Sequence, residues 1–130
     1  MTWSGWAGDE EPRHFQQGSE TRTFLRFLES FATHGEGYVE IARDNLPFPM
    51  LSLSAASGRG VVHQFQAEDQ SYVLGGDGSV PVGEVVEVPI IEGLATFSGD
   101  FVLALHLAVG VVEAFAQGAA VARLGEWVAL

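Results

Sequence analysis

The spacing of apolar residues changes twice along this chain, and that constrains the fold more than any other feature. Between Ser19 and His34, the residues Phe24, Leu25, Phe27, Leu28, Phe31 and Ala32 recur every three or four positions, forming one stripe of a helix. Ser19 suits the N-cap, Glu20 the first turn, and Gly35 the left-handed residue that ends the helix, with His34 in the last turn. The period then drops to two. Val39 and Ile41 alternate with Tyr38, Glu40 and Ala42; Leu51 and Leu53 alternate with Ser52 and Ser54; Val61, His63 and Phe65 alternate with Val62, Gln64 and Gln66. These are half-buried strands, and the short connections at Asn45-Leu46-Pro47 and Ser57-Gly58-Arg59-Gly60 favour antiparallel hairpins. Ser71–Leu74 is a fourth predicted strand. Glu84–Ile91 is a fifth, with Val86, Val88 and Ile90 on one face and Pro89, which lacks an amide donor, marking an edge. From Ser98 to Gln117 the pattern is helical again and apolar nearly all round, apart from a narrow stripe of His106, Gly110, Glu113 and Gln117. Gly125–Ala129 can add a last short strand.

The expected architecture is therefore α+β: a curved antiparallel sheet of five or six strands with two helices, the second packed on one sheet face. It occupies residues 19–130 as one domain. Residues 1–18 read as an irregular leader, in which Trp3, Trp6 and Phe15 sit among Gly5, Gly8, Pro12 and Gly18 and the tryptophans dock on the body.

Composition narrows the function classes. The chain has 130 residues, 47% of them hydrophobic with nine Phe, too apolar for a solvated tail. Six Lys+Arg, all of them Arg, stand against 17 Asp+Glu, for a net charge of −11. Nucleic-acid binding needs cations and is not expected. The charge is also unevenly spread. Nine of the acids lie in residues 66–130 beside a single Arg, Arg123, and no basic side chain occurs between Gly60 and Ala122. Such a stretch keeps a domain soluble, and it also attracts a basic partner.

No chemical signature stands out. Without cysteine there is no disulfide, thiol nucleophile or thiolate metal site. His14, His34, His63 and His106 lack ligand spacing, and no metal or cofactor is expected. His63 falls on an inward strand face and reads as a satisfied core histidine; His106 shares the polar stripe of the second helix with Glu113. The Gly75-Gly76-Asp77-Gly78-Ser79 loop has no neighbouring cation and no following Lys-Ser/Thr, so it reads as a hairpin turn rather than a phosphate cradle. The apolar run Phe101–Val112 is too short for a membrane span, and Met1–Gly8 lacks the basic start of a signal peptide, so a cytoplasmic protein without a membrane partner is expected.

From Phe48 onward the order of elements follows a known layout. The strand Phe48-Pro49-Met50-Leu51-Ser52-Leu53 is followed by Gly60-Val61-Val62-His63 and Ser71-Tyr72-Val73-Leu74. Next come the turn Gly76-Asp77-Gly78-Ser79-Val80-Pro81, the strand Val86-Glu87-Val88-Pro89-Ile90, a long helix from Asp100 to Ala116, and a closing Gly125-Glu126-Trp127. This resembles the Imm1 family of bacterial immunity proteins, in a form similar to those of high-GC actinobacteria. The resemblance implies a non-enzymatic antidote that binds a cognate toxin domain, a nuclease or nucleic-acid deaminase, and covers its active site or basic substrate groove.

The residues expected to meet such a partner are acids of the base-free stretch, Glu68, Asp69, Asp77, Glu84 and Glu87, with Tyr72 and Trp127 as aromatic anchors. Two rival readings accompany this one. A small-ligand domain or minor enzyme would use a pocket on the sheet face near His63 and His106, marked by a closed cavity of ~300 Å³ or more with convergent polar groups. A homodimer would show an apolar patch across a two-fold axis.

Overall fold

The computed structural model describes residues 1–8, 13–43 and 45–130; Asp9, Glu10, Glu11 and Pro12 of the expected leader, and Asp44, lie outside the described residues. The α+β architecture is as expected, with more strands than the period alone reveals. In chain order the elements are β1 (Thr2–Ala7), β2 (Gln16–Gly18), α1 (Thr21–His34), β3 (Gly37–Ala42), β4 (Met50–Ala56), β5 (Arg59–Ala67), β6 (Gln70–Leu74), β7 (Val85–Ile90), β8 (Gly93–Ser98), β9 (Leu103–Ala104), α2 (Leu105–Ala116) and β10 (Trp127–Ala129). The main sheet runs β10-β6-β5-β4-β3-β1-β2, with β9 beside β5, and every pairing is antiparallel. A separate two-stranded hairpin, β7–β8, stands apart from it.

The irregular leader is corrected. Residues 2–7 form an inner strand that pairs with β3 through six registered positions, from Thr2↔Ala42 to Ala7↔Gly37, and with β2 on its other side. Trp3 and Trp6 are core residues, 6% and 2% exposed, on opposite faces of the sheet. Trp3 packs at 5.6 Å from the ring of Phe24 and 5.0 Å from that of Phe27. Because Gln16–Gly18 is drawn out as a strand, the chain turns into α1 later than expected. Glu20, not Ser19, is the N-cap, and it makes no side-chain capping bond. The other end is as predicted: Gly35 is left-handed at φ 72° and its amide donates to the Phe31 carbonyl at 3.0 Å. Phe24, Phe27, Leu28 and Phe31 are the buried stripe, while Leu25 is half-buried and Ala32 exposed.

The second helix also starts later. Ser98 ends β8, residues 99–101 make a 3₁₀ turn, and Leu103–Ala104 pair with Arg59–Gly60, so α2 begins only at Leu105. Its polar stripe is correct: His106, Gly110, Glu113 and Gln117 are all exposed, and Leu105, Ala108, Val112 and Phe115 are buried. The loop at Gly76 is not a hairpin turn, since among the described residues β6 pairs with β5 and β10 while β7 pairs with β8 alone. The loop threads against the 3₁₀ turn instead. The Gly76 amide donates to Asp100 O at 2.6 Å, and a Cβ here would meet the carbonyl oxygens of Val102, Gly99 and Asp100 at 2.7, 2.8 and 3.0 Å.

Two apolar layers result. Between the sheet and the helices lie Trp3, Val39, Ile41, Leu51, Leu53, Val62 and Leu74, packed with the buried faces of α1 and α2. On the opposite sheet face, Val61 and Val73 pack with Val86 and Val88 of the hairpin, which crosses over β4 and β3. Arg43, just after β3, fastens α2 to the sheet. Its Nη1 donates to the carbonyls of Phe115 at 2.9 Å and Ala119 at 2.7 Å, and its guanidinium lies 4.1 Å from the centre of the Phe115 ring. A cation at carbonyls that end a helix is favourable. Arg43→Ala is expected to cost about 1.5–3 kcal/mol in denaturant unfolding, the range for hydrogen bonds to a charged group; a loss under 0.5 kcal/mol would show that the contact is idle.

Candidate functional site

The hairpin has two unlike faces because its side chains alternate. Val86, Val88 and Ile90 turn toward the sheet together with Ala95 and Phe97, whereas Val85, Glu87, Leu94 and Thr96 turn away. Val85 at 67% and Leu94 at 59% are exposed on the outward side, with Val82 at 67% in the loop before β7 and Ile91 at 64% in the β7–β8 turn, where it also borders the cavity beneath the hairpin. Glu84, Glu87 and Glu92 are exposed among them. The hairpin and the loop before it thus carry exposed apolar side chains interspersed with carboxylates, within the stretch that holds no basic side chain.

The seven expected partner residues do not form one surface. Glu87 lies on this outer hairpin side, and Glu84 is exposed just before β7. Glu68 and Asp69 are exposed at the β5–β6 turn. Asp77 is committed internally: one carboxylate oxygen accepts from the Ser79 amide at 2.9 Å and the Ser79 hydroxyl at 2.5 Å, the other from the Ala104 amide at 2.9 Å. Desolvation pushes the Asp77 carboxyl up, but these hydrogen bonds together hold it below the ordinary value of 3.8. Its bonds lock the Gly76 loop to the start of α2, which is a structural task. Tyr72 and Trp127 do come together. They line a cleft of about 300 Å³ on the helix side of the sheet with Gln64, Gln66, Val121 and Ala122, and the Trp127 indole donates to Val121 O at 2.9 Å. What unites them is the pairing of β10 with β6, which joins strands far apart in sequence.

A second feature lies beneath the hairpin. The sheet face there carries cross-strand rows of polar side chains. Glu40 faces Ser52 and Ser52 faces His63; Trp6 faces Tyr38 and Tyr38 faces Ser54. The Tyr38 hydroxyl donates to Glu40 Oε1 at 2.7 Å. Burial first, then the Glu40 bond and charge, push the Tyr38 phenol well above its usual pKa, against a smaller opposing effect of Ser52. Ser54 Oγ is buried with no hydrogen-bond partner among the described residues. Tyr38, Ser52, Ser54 and His63 line an open-sided cavity of about 290 Å³ with Phe65, Ile90, Ile91, Ala95, Phe97 and Leu130, of which Ile91 and Leu130 are exposed at its rim.

His63 is buried as the alternation predicts, at 8% exposure, yet it is not a satisfied core histidine. Its contacts are aromatic: Phe65 stacked at 6.1 Å and Phe97 edge-on at 5.1 Å. His106 does not join it, because α2 packs on the other side of the sheet and His106 faces outward. The expected pairing of His63 and His106 in one pocket is therefore corrected. Burial lowers the pKa of His63 from 6.5. The unfolded chain thus takes up a proton near pH 6.5 that the native state refuses, so native stability falls as pH drops from 6.5 toward the depressed value. Unfolding midpoints between pH 7.5 and 5.5 are expected to decline more steeply for the wild type than for His63→Phe. Parallel declines would show that His63 titrates normally.

Among the described residues no three of His, Asp or Glu stand close enough to hold a metal ion, and no helix is long and apolar enough to cross a membrane. No protein-family model matches the chain, and no curated protein matches it significantly.

Proposed function

We propose that this domain acts by binding a basic protein through the outer side of the β7–β8 hairpin, as an inhibitor of the immunity-protein kind. The observation that carries this reading is the coincidence of exposed Val82, Val85, Ile91 and Leu94 with exposed Glu84, Glu87 and Glu92 in one hairpin and the loop that leads into it. Apolar anchors supply contact area, and the carboxylates steer and orient a cationic partner. Two of the six arginines make contacts away from the hairpin: Arg43 at the end of α2, and Arg13 over the Trp6 ring at 3.9 Å. A second copy of this chain is a poorer occupant, since it would bring like charge to like charge. The same role is what the sequence resemblance to the Imm1 immunity proteins implies. Its natural target would be an enzyme with a basic groove, a nuclease or a nucleic-acid deaminase, whose substrate the hairpin displaces.

The test is a mixture of this protein with the purified C-terminal domain encoded by the adjacent gene. The proposal expects a stoichiometric complex on gel filtration and loss of that domain's activity on nucleic acid. An adjacent domain that stays active and elutes alone would overturn the pairing.

A further inference from the structure

We propose that the cavity between the hairpin and the sheet is a binding site for a small uncharged aromatic molecule bearing one hydroxyl or N–H group. Its floor is the polar row Ser52, Ser54 and His63, its walls are Phe65 and Phe97, and Ala95 lies under the hairpin. The volume, about 290 Å³, is at the small end for ligand pockets. The most telling atom is Ser54 Oγ. The Ser54 side chain is fully buried, so the hydroxyl loses water without gaining a protein partner. An unmade hydrogen bond at such a position is a cost that an apolar side chain of similar size would avoid, and a ligand group reaching it recovers the loss.

The lining also defines the ligand's charge. No Lys or Arg borders the cavity, and the Tyr38 hydroxyl is already committed to Glu40. An anion entering here would be desolvated with no Lys or Arg among the lining residues to offset its charge. A flat ring is favoured because Phe65, Phe97 and His63 already pack stacked and edge-on, and a further ring can join that arrangement. The remaining polar capacity is small, the hydroxyls of Ser52 and Ser54 and the imidazole, which suits one donor–acceptor group on the ligand.

The experiment titrates the full chain with 2-naphthol, naphthalene and 2-naphthoate, followed by calorimetry and by NMR shifts of Ser54, His63, Ala95 and Phe97. The expected result is saturable binding of naphthol with shifts at those four residues, and binding of naphthoate at least tenfold weaker. Ser54→Ala should weaken naphthol roughly five- to tenfold, the worth of about one hydrogen bond, and leave naphthalene unchanged. Ala95→Phe should abolish both by filling the space; should that variant fail to fold, Ser54→Ala and the wild-type titrations still decide. Absence of saturable shifts at these residues, or naphthoate binding as tightly as naphthol, would overturn the proposal.

Discussion

Trp6→Ala is expected to cost about 3–5 kcal/mol in equilibrium unfolding, and removal of residues 1–8 to leave no cooperative transition at all. The first figure is the usual loss for truncating a buried Trp. It applies in full because Trp6 is 2% exposed, faces Tyr38 across the sheet and lies under the Arg13 guanidinium. A domain of this size has about 5–15 kcal/mol in total, so one side chain carries a large share. Deletion of the strand goes further. It uncovers the whole β3 edge from Gly37 to Ala42 and strips Trp3 from Phe24 and Phe27 in the helix-side core. It also orphans β2, which among the described residues pairs with β1 alone. Circular dichroism and urea unfolding of the two variants check this. A truncated chain that still unfolds with wild-type cooperativity would return residues 1–8 to the status of an appendage.

The second large effect concerns association. Reversing Glu84 and Glu87 to Arg is expected to slow binding to the basic partner about tenfold or more at low ionic strength, with a smaller effect at high salt. Both side chains are exposed. Reversal of Asp77 is a useful contrast. Its carboxylate is held by Ser79 and Ala104, so Asp77→Arg should lower stability more than it changes the association rate per folded molecule. Stopped-flow measurements across a salt series separate the two. Equal rates for the wild type and the Glu84/Glu87 double reversal at low salt would remove the hairpin carboxylates from the encounter.

Much of this fold is legible in the chain because local period and local packing agree. The buried stripe of α1, its Gly35 terminus, strands β3 to β6 and the exposed stripe of α2 all follow from spacing. What escaped depends on distant partners. In β1, Gly5 interrupts the apolar alternation and disguises a strand whose extended state is imposed by β3. Ser98 and Asp100 look like a helix start, but that segment is held extended or in a 3₁₀ turn by the Gly76 loop and by β5. Strand β8 has only Ala95 and Phe97 on its inner side opposite Val88 and Val86, too short an alternation to notice alone. The site was legible in the same measure. The inward position of His63 follows from alternation, while its neighbour Phe97 comes from β8 and its separation from His106 from the layer order of the helices. Nothing local announces that Ser54 is left without a partner.

The central claim, that the outer side of the β7–β8 hairpin meets the partner, is tested most directly by amide hydrogen exchange of this protein alone and in complex with the domain encoded by the adjacent gene. New protection is expected to concentrate in Val82–Ser98, with the α1 and α2 amides unchanged. Protection that falls instead on α1 and α2, or on the Tyr72–Trp127 cleft, with the hairpin exchanging as freely as before, would contradict it.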